Sequence, residues 1–458
     1  MAMMKTACKI AFSLIPFSIM RMKLSEGILE HLTPAKEEHK DLLRRMSTTS
    51  GQMIGVMIWV PAIIIAVTMY ACVEYTPITG RRRLIIFSPE EEETVAVQLE
   101  GMGWYNAIAD ILFAESSSSS PPRVIPVSDW RYIWAERVLR RLEAAVPHLQ
   151  GNHTSGEWHA NYPRPPPSEY PLEPRERIAQ RLHKLVESGD PNVPAPHTLL
   201  GIPHNLLLVE NEDESNGFSF GISGNGSSGI VVYSGFFDEI APDVRPPSSA
   251  SFLWRWLFPG RSHTDIPPIT PEQTAKLAVL LAHELAHLVL AHHVETLSAS
   301  SVLIPGLSGF WIDILRTLIY PWTMMWGPFL NDHLSTKTQE KQQLIRNLHA
   351  ANFNRVFELE ADIVSARILA YAGFDPRLAI DFWANRPCMA DNEDEEIADG
   401  LRHLPERWWK HAMKTHPLRE QRVQKLTREI ENWASTRRGD LAERFWEGKP
   451  LSTPDVVG

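Results

Sequence analysis

Cysteine is scarce: Cys8, Cys72 and Cys388 are the only three in 458 residues. Three widely separated thiols build neither a disulfide framework nor a cysteine-type zinc knuckle. Any metal site must therefore be made from His, Asp and Glu, and eighteen histidines are available. A basic excess is also missing, since 45 Lys and Arg stand against 55 Asp and Glu for a net charge of −10. No global positive field draws this chain to nucleic acid, which is excluded as an expected partner. Nor is there the apolar excess of a polytopic membrane protein. With 44% hydrophobic and 22% charged residues the composition is globular, which excludes collagen-like, coiled-coil and wholly disordered chains. The length suits one to three domains with a sizeable core.

One segment departs from that average. Residues 51–73, GQMIGVMIWVPAIIIAVTMYACV, form a run of 23 without a charge. At about 1.5 Å per residue such a helix spans the ~30 Å hydrocarbon core, whereas buried core helices seldom exceed ~14 uncharged residues. A single transmembrane helix is therefore expected at 51–73, with the lipid bilayer as a partner. Lys36, Lys40, Arg44 and Arg45 precede it and Arg81, Arg82 and Arg83 follow it. That near balance leaves the orientation open. Residues 1–25 contain no acid and carry Lys5, Lys9, Arg21 and Lys23 around an apolar stretch. A secretory cleavage site is not visible there; the lack of acids fits a mitochondrial presequence, although arginine is sparse.

Beyond the span, SSSSSPP at 116–122 reads as a flexible linker. Residues 128–149 and 175–188 have helical periodicity, and the proline-rich insertion between them (150–175) is expected as an exposed loop. NLLLVENE (205–212) and GIVVYSGFF (229–237) read as strands separated by a Gly/Ser-rich stretch. The apolar, aromatic segment 302–330 carries Asp313 and Arg316 in its middle and is broken by Pro305, Pro321 and Pro328. A second span is disfavoured by those charges. A surface dipping into the bilayer and a buried helical hairpin both stay open.

The chemistry is concentrated in TPEQTAKLAVLLAHELAHLVLAHHVETL (270–297). Thr270 is an N-cap, Pro271 occupies the first helical position and Gln273 completes a capping box. Inside the helix, His283 and His287 are four residues apart and face one point, a spacing that chelates zinc. Glu284 lies beside the first ligand and is placed to exchange a proton with water rather than to bind the ion. A hydrolytic zinc site needs a third protein ligand. His293 has the spacing of a third histidine, but that arrangement needs glycine at 290 for the chain to turn back. Leu290 and Ala291 are expected to continue the helix and carry His293 about 240° around from His287. The other candidate is the amphipathic helix NRVFELEADIVSARIL (354–369). Glu358 and Asp362 share a face there, while Glu360 points elsewhere. Glu358 suits a zinc ligand, and Asp362 suits the spare N–H of a ligand histidine.

HELAH followed by ELEAD and KTHPLREQRV (414–423) resembles the gluzincin endopeptidase family that contains the CAAX prenyl proteases and bacterial HtpX. YTPITGRRRLIIFSP just after a single span is similar to the mitochondrial inner-membrane branch of that family. The resemblance implies an α+β, mainly helical, zincin-like peptidase domain with a small edge sheet. It also implies one Zn2+ held by His283, His287 and Glu358, Glu284 as general base, His416 as oxyanion donor and Arg422 in support. Asn216, Gly217 and Phe218 occupy the place of the edge strand onto which a polypeptide substrate adds, with Gly217 where alanine is usual. The implied organisation is a targeting or matrix-side segment (1–50), the span (51–73), a juxtamembrane segment with linker (74–127), the peptidase domain (128–436) and a tail (437–458). The implied location is the mitochondrial inner membrane with the peptidase domain facing the intermembrane space. Membrane-protein substrates and a role in quality control or stress go with it; a homo-oligomer stays open. Two rivals stand beside this reading: a catalytically silent membrane-anchored zinc scaffold, and a CAAX- or HtpX-type protease of another membrane.

Overall fold

The computed structural model describes residues 20–24, 27–28, 37–87, 89–115, 122–150, 165–173, 203–222, 226–242, 268–299, 355–386 and 419–446. The expected helix at 175–188, the segment 302–330 and His416 lie outside the described residues. The chain divides into two compact units. One comprises Met1–Val73, Leu84–Ile86 and Leu297–Ala350, the other Glu74–Arg83, Phe87–Thr296 and Ala351–Gly458.

The first unit contains α1, a 35-residue helix Glu37–Ala71 that takes in the uncharged run up to its last residues. Among its described side chains, Val56, Trp59, Ile63 and Tyr70 are exposed. Among the described residues, no single helix is long and apolar enough to cross a membrane.

The second unit is mainly helical with small sheets, an α+β arrangement. It opens with the hairpin strands β1 (Val73–Tyr75) and β2 (Arg82–Leu84), followed by α2 (Pro89–Leu99) and α3 (Met102–Glu115). After β3 (Arg123–Val124), helix α4 (Trp130–Glu143) starts at Asp129, whose side chain accepts from the Arg131 N–H. The remaining strands are β4 (Asn205–Glu210), β5 (Gly217–Gly221) and β6 (Ser228–Tyr233). They form one sheet in the order β3-β4-β6-β5, with β4 and β6 parallel and β5 antiparallel to β6. The strand expected to run on to residue 237 ends at Tyr233, because Ser234–Ile240 coils into helix α5. Phe236 and Phe237 are thereby buried in the core.

Helix α6 (Pro271–Val289) begins with the predicted capping box, Thr270 and Gln273 exchanging bonds of 3.2 and 2.8 Å. It packs with α4, β4 and β6 in one core, joined by α8 (355–371), α9 (Leu378–Asn385) and α10 (Arg419–Trp446). On the opposite face of the sheet, Trp104, Ile108 and Leu112 of α3 cover Leu207, Val209, Val231 and Tyr233. Strands covered on both faces read as continuous apolar runs, as LLLV and IVV do here. Helix α10 runs on to Trp446.

The described part of the proline-rich insertion is not an exposed loop. Pro165 and Leu172 are buried. The Tyr170 carbonyl accepts from the Ile78 N–H at 2.6 Å, and its ring stacks on Tyr75 at 5.3 Å. The segment is held because its backbone groups find partners on the hairpin. Gly80 makes room for it: its φ is +64°, and a Cβ there would run into the Tyr170 ring.

Candidate metal centre

Helix α6 brings His283 and His287 to one face, and α8 lays Glu358 against them. His283 Nε2 lies 3.1 Å from Glu358 Oε2 and 3.3 Å from His287 Nε2. His287 Nε2 lies 3.4 Å from Glu358 Oε1. Ligand bonds of about 2.0–2.1 Å in a tetrahedron place donor atoms roughly 3.3–3.4 Å apart. The two nitrogens fit that requirement and each has an oxygen of Glu358 within 3.4 Å, so among the described residues these three could hold a metal ion. The donors also attract positive charge. Burial opposes a proton on His283, but Glu358 and Asp362 outweigh it and push the imidazole up to about 9. Burial would raise the Glu358 carboxyl, yet His283, His287 and Arg422 hold it well below the usual range. Glu284 is buried beside His283 on the same helix.

Behind His283, its Nδ1 lies 3.1 Å from Asp362 Oδ1. Arg422 grips both Asp362 oxygens, from Nε at 2.8 Å and from a terminal nitrogen at 2.7 Å. Its other terminal nitrogen is 3.3 Å from Glu358, and its guanidinium lies 3.8 Å from the Trp383 ring centre. Trp383 packs edge-on against His283. Asp362 and Arg422 are thus brought to the centre, with Trp383 as a wall that the sequence did not signal.

Behind His287 the structure departs from expectation. The helix does not continue through 290 and 291. Leu290 caps α6, Ala291 takes φ +55°, and a new helix α7 (His292–Ser298) starts at 46° to the first. The buried Arg83 donates to the Leu290 carbonyl freed at this break. His293 still does not join the donors: its Nε2 faces Ser219 Oγ on β5 at 3.4 Å, and burial pushes its pKa down to about 4. The break instead turns His292 back, so that its Nδ1 lies 3.0 Å from His287 Nδ1. His292 Nε2 lies 3.4 Å from Glu360 Oε2. Glu360 accepts from Thr79 Oγ1 at 2.6 Å and from Arg81 at 3.0 and 2.9 Å. The same guanidinium binds both oxygens of Glu295 at 2.8 and 2.7 Å. Burial pushes His292 down to about 3, so the ring is neutral. Phe357 stacks on it at 4.3 Å. In the sequence, Arg81 stood out as a charge flanking the span and, with Thr79, within a resemblance, and nothing marked Glu295 or His292.

Gly217 and Phe218 begin β5, the outermost strand of the sheet among the described residues, and Asn216 precedes it, its carbonyl accepting from the Tyr233 N–H. The glycine is required by close approach. A Cβ at 217 would sit 2.8 Å from the Val231 carbonyl oxygen and 3.5 Å from Leu280 of α6.

A helix-borne His-x-x-x-His pair, closed by a glutamate from a second helix, defines the donor set of a metallohydrolase. Residues 176–430, more than half of the chain, match Peptidase family M48. The chain belongs to that family of metallopeptidases, whose members are generally zinc-dependent. No curated protein matches it. The hairpin that delivers Thr79, Arg81 and Arg83 lies outside the matched segment.

Proposed function

We propose that this protein is a zinc-dependent endopeptidase tethered to a membrane by α1, and that it cleaves membrane proteins at the mitochondrial inner membrane. The observation that carries the catalytic part is the convergence of three donor atoms beside Glu284 in one buried helix. His283, His287 and Glu358 hold the ion. Zinc, when bound, supplies a Lewis acid that polarises the scissile carbonyl. Glu284 takes a proton from the attacking water and passes it to the leaving amine. His416 supplies a donor for the developing oxyanion. The substrate's extended backbone adds to β5, next to α6, through main-chain hydrogen bonds.

The tether is supported by the uncharged run inside a 35-residue helix with exposed apolar side chains. The mitochondrial setting, with the peptidase unit in the intermembrane space and quality control as the task, is supported by the acid-free N-terminus and by the TGRRR stretch after the span. Glu284→Gln should retain one zinc per chain and abolish proteolysis. Persistent cleavage by that variant would remove Glu284 from the mechanism. Protease protection of the C-terminus in isolated mitochondria tests the topology, and N-terminal peptide profiling of Glu284→Gln beside wild-type cells identifies substrates.

A further inference from the structure

The branch behind His287 assigns a task to the hairpin that precedes the family segment. We infer that Arg81 is a positioning residue for the metal ligand His287, acting through Glu360 and His292, so that residues 74–83 complete the metal centre. This rests on the reading that His283, His287 and Glu358 hold zinc.

The proton arrangement follows from the distances. With His287 Nε2 turned to the other donors, its Nδ1 carries the proton and donates to His292 Nδ1 at 3.0 Å. Accepting there at Nδ1, His292 carries its own proton on Nε2, which faces Glu360 at 3.4 Å. The His287–His292 contact is then a donor–acceptor pair, and the buried His292 Nε2 has the Glu360 carboxylate as its charged neighbour. The line stays in register only if Glu360 stays in place, and Glu360 is fixed by two bonds from Arg81 and one from Thr79.

Arg81 is suited to this by shape. One planar guanidinium binds two carboxylates at once, Glu360 on α8 and Glu295 on α7, with four contacts of 2.7–3.0 Å. The two acids are 4% and 1% exposed. A lysine presents a compact charge without the fork, so it cannot satisfy both acids in this geometry. The break at Ala291 is the other requirement. In a continuous helix, residues five apart lie about 140° from each other, and His292 would face away from His287.

The test uses the full-length chain loaded with zinc, followed by transfer of zinc to a competing chelator. Arg81→Lys and His292→Leu should each release zinc roughly 10–100-fold faster than wild type, as loss of outer partners does elsewhere. His292→Gln should bring the rate back toward wild type, because its amide accepts from His287 and donates to Glu360. A merely architectural role would lower the melting temperature of the zinc-free protein and leave the release rate of the folded protein alone. Folded Arg81→Lys releasing zinc at the wild-type rate overturns the inference. Should that variant fail to fold, equal release from His292→Leu and His292→Gln overturns it instead. A wild-type chain that takes up no zinc would sink the metal reading itself, a distinguishable result.

Discussion

His283 and His287 stand one turn apart on the same helix, yet they are braced differently. His283 meets a carboxylate directly: Asp362, clamped by Arg422. His287 meets a neutral imidazole first, and the carboxylate Glu360 only beyond it, clamped by Arg81. One ligand therefore has negative charge beside it, and the other has a polarised but uncharged partner. The three acids Glu358, Glu360 and Asp362 all come from α8, so one helix serves the donor set and both branches. The arginines come from opposite ends of the unit, Arg422 from α10 and Arg81 from the first hairpin.

The largest expected effect removes what the branches share. Glu358→Gln should drop zinc content to background and abolish proteolysis, because it takes away one donor and the charge that draws a cation. Metal analysis after dialysis reads it, and full zinc stoichiometry would return the third-ligand question to another residue. Next, Asp362→Asn strips the charged partner from His283 and takes from the half-buried Arg422 the carboxylate it grips. Zinc affinity should fall roughly 10–100-fold. Combining it with His292→Leu tests independence: additive losses in binding free energy mean two separate branches, and a smaller combined loss means one coupled shell.

A buried histidine away from the centre sharpens the reason His292 is neutral. His204 is pushed down to about 4, first by burial and then by Arg140. Its Nδ1 lies 2.9 Å from Ser228 Oγ. The unfolded chain binds a proton as pH falls through about 6.5, and the folded chain does not until about 4. Stability from this group is thus complete above pH 6.5 and is lost on acidification, at about 1.4 kcal/mol per pH unit. Denaturant titrations at pH 7 and 5 should show this slope in wild type and a shallower one in His204→Gln. The smallest effect treats both branches alike. Thr270→Ala removes the cap of α6 at a cost of about 1 kcal/mol, and chemical denaturation should register it with zinc release unchanged.

Much of the site was legible because its spacing is local. HELAH fixes its histidines on one face of a helix whose capping box, Thr270 and Gln273, is written in adjacent residues. ELEAD separates Glu358 and Asp362 from Glu360 by the same helical period. The α+β, mainly helical character came with the family resemblance. What the pattern missed was non-local. No helical arithmetic foresees that Ala291 adopts a left-handed φ, because propensity favours continuing the helix. The break is held by Arg83, more than two hundred positions away in the sequence. Likewise the proline-rich stretch looked like a loose loop until Tyr170 met the hairpin.

By itself, the sequence determined the His283–His287 pair on one helix face, the spacing of Glu358 and Asp362 on another, and one long uncharged run. Each of these depends on residue type and on a period of a few positions. The tertiary structure alone decided that His292 rather than His293 serves the centre, and that an arginine from the first hairpin reaches it. Both depend on buried charges finding partners across the fold, where desolvation makes an unpaired group costly and chain distance does not matter.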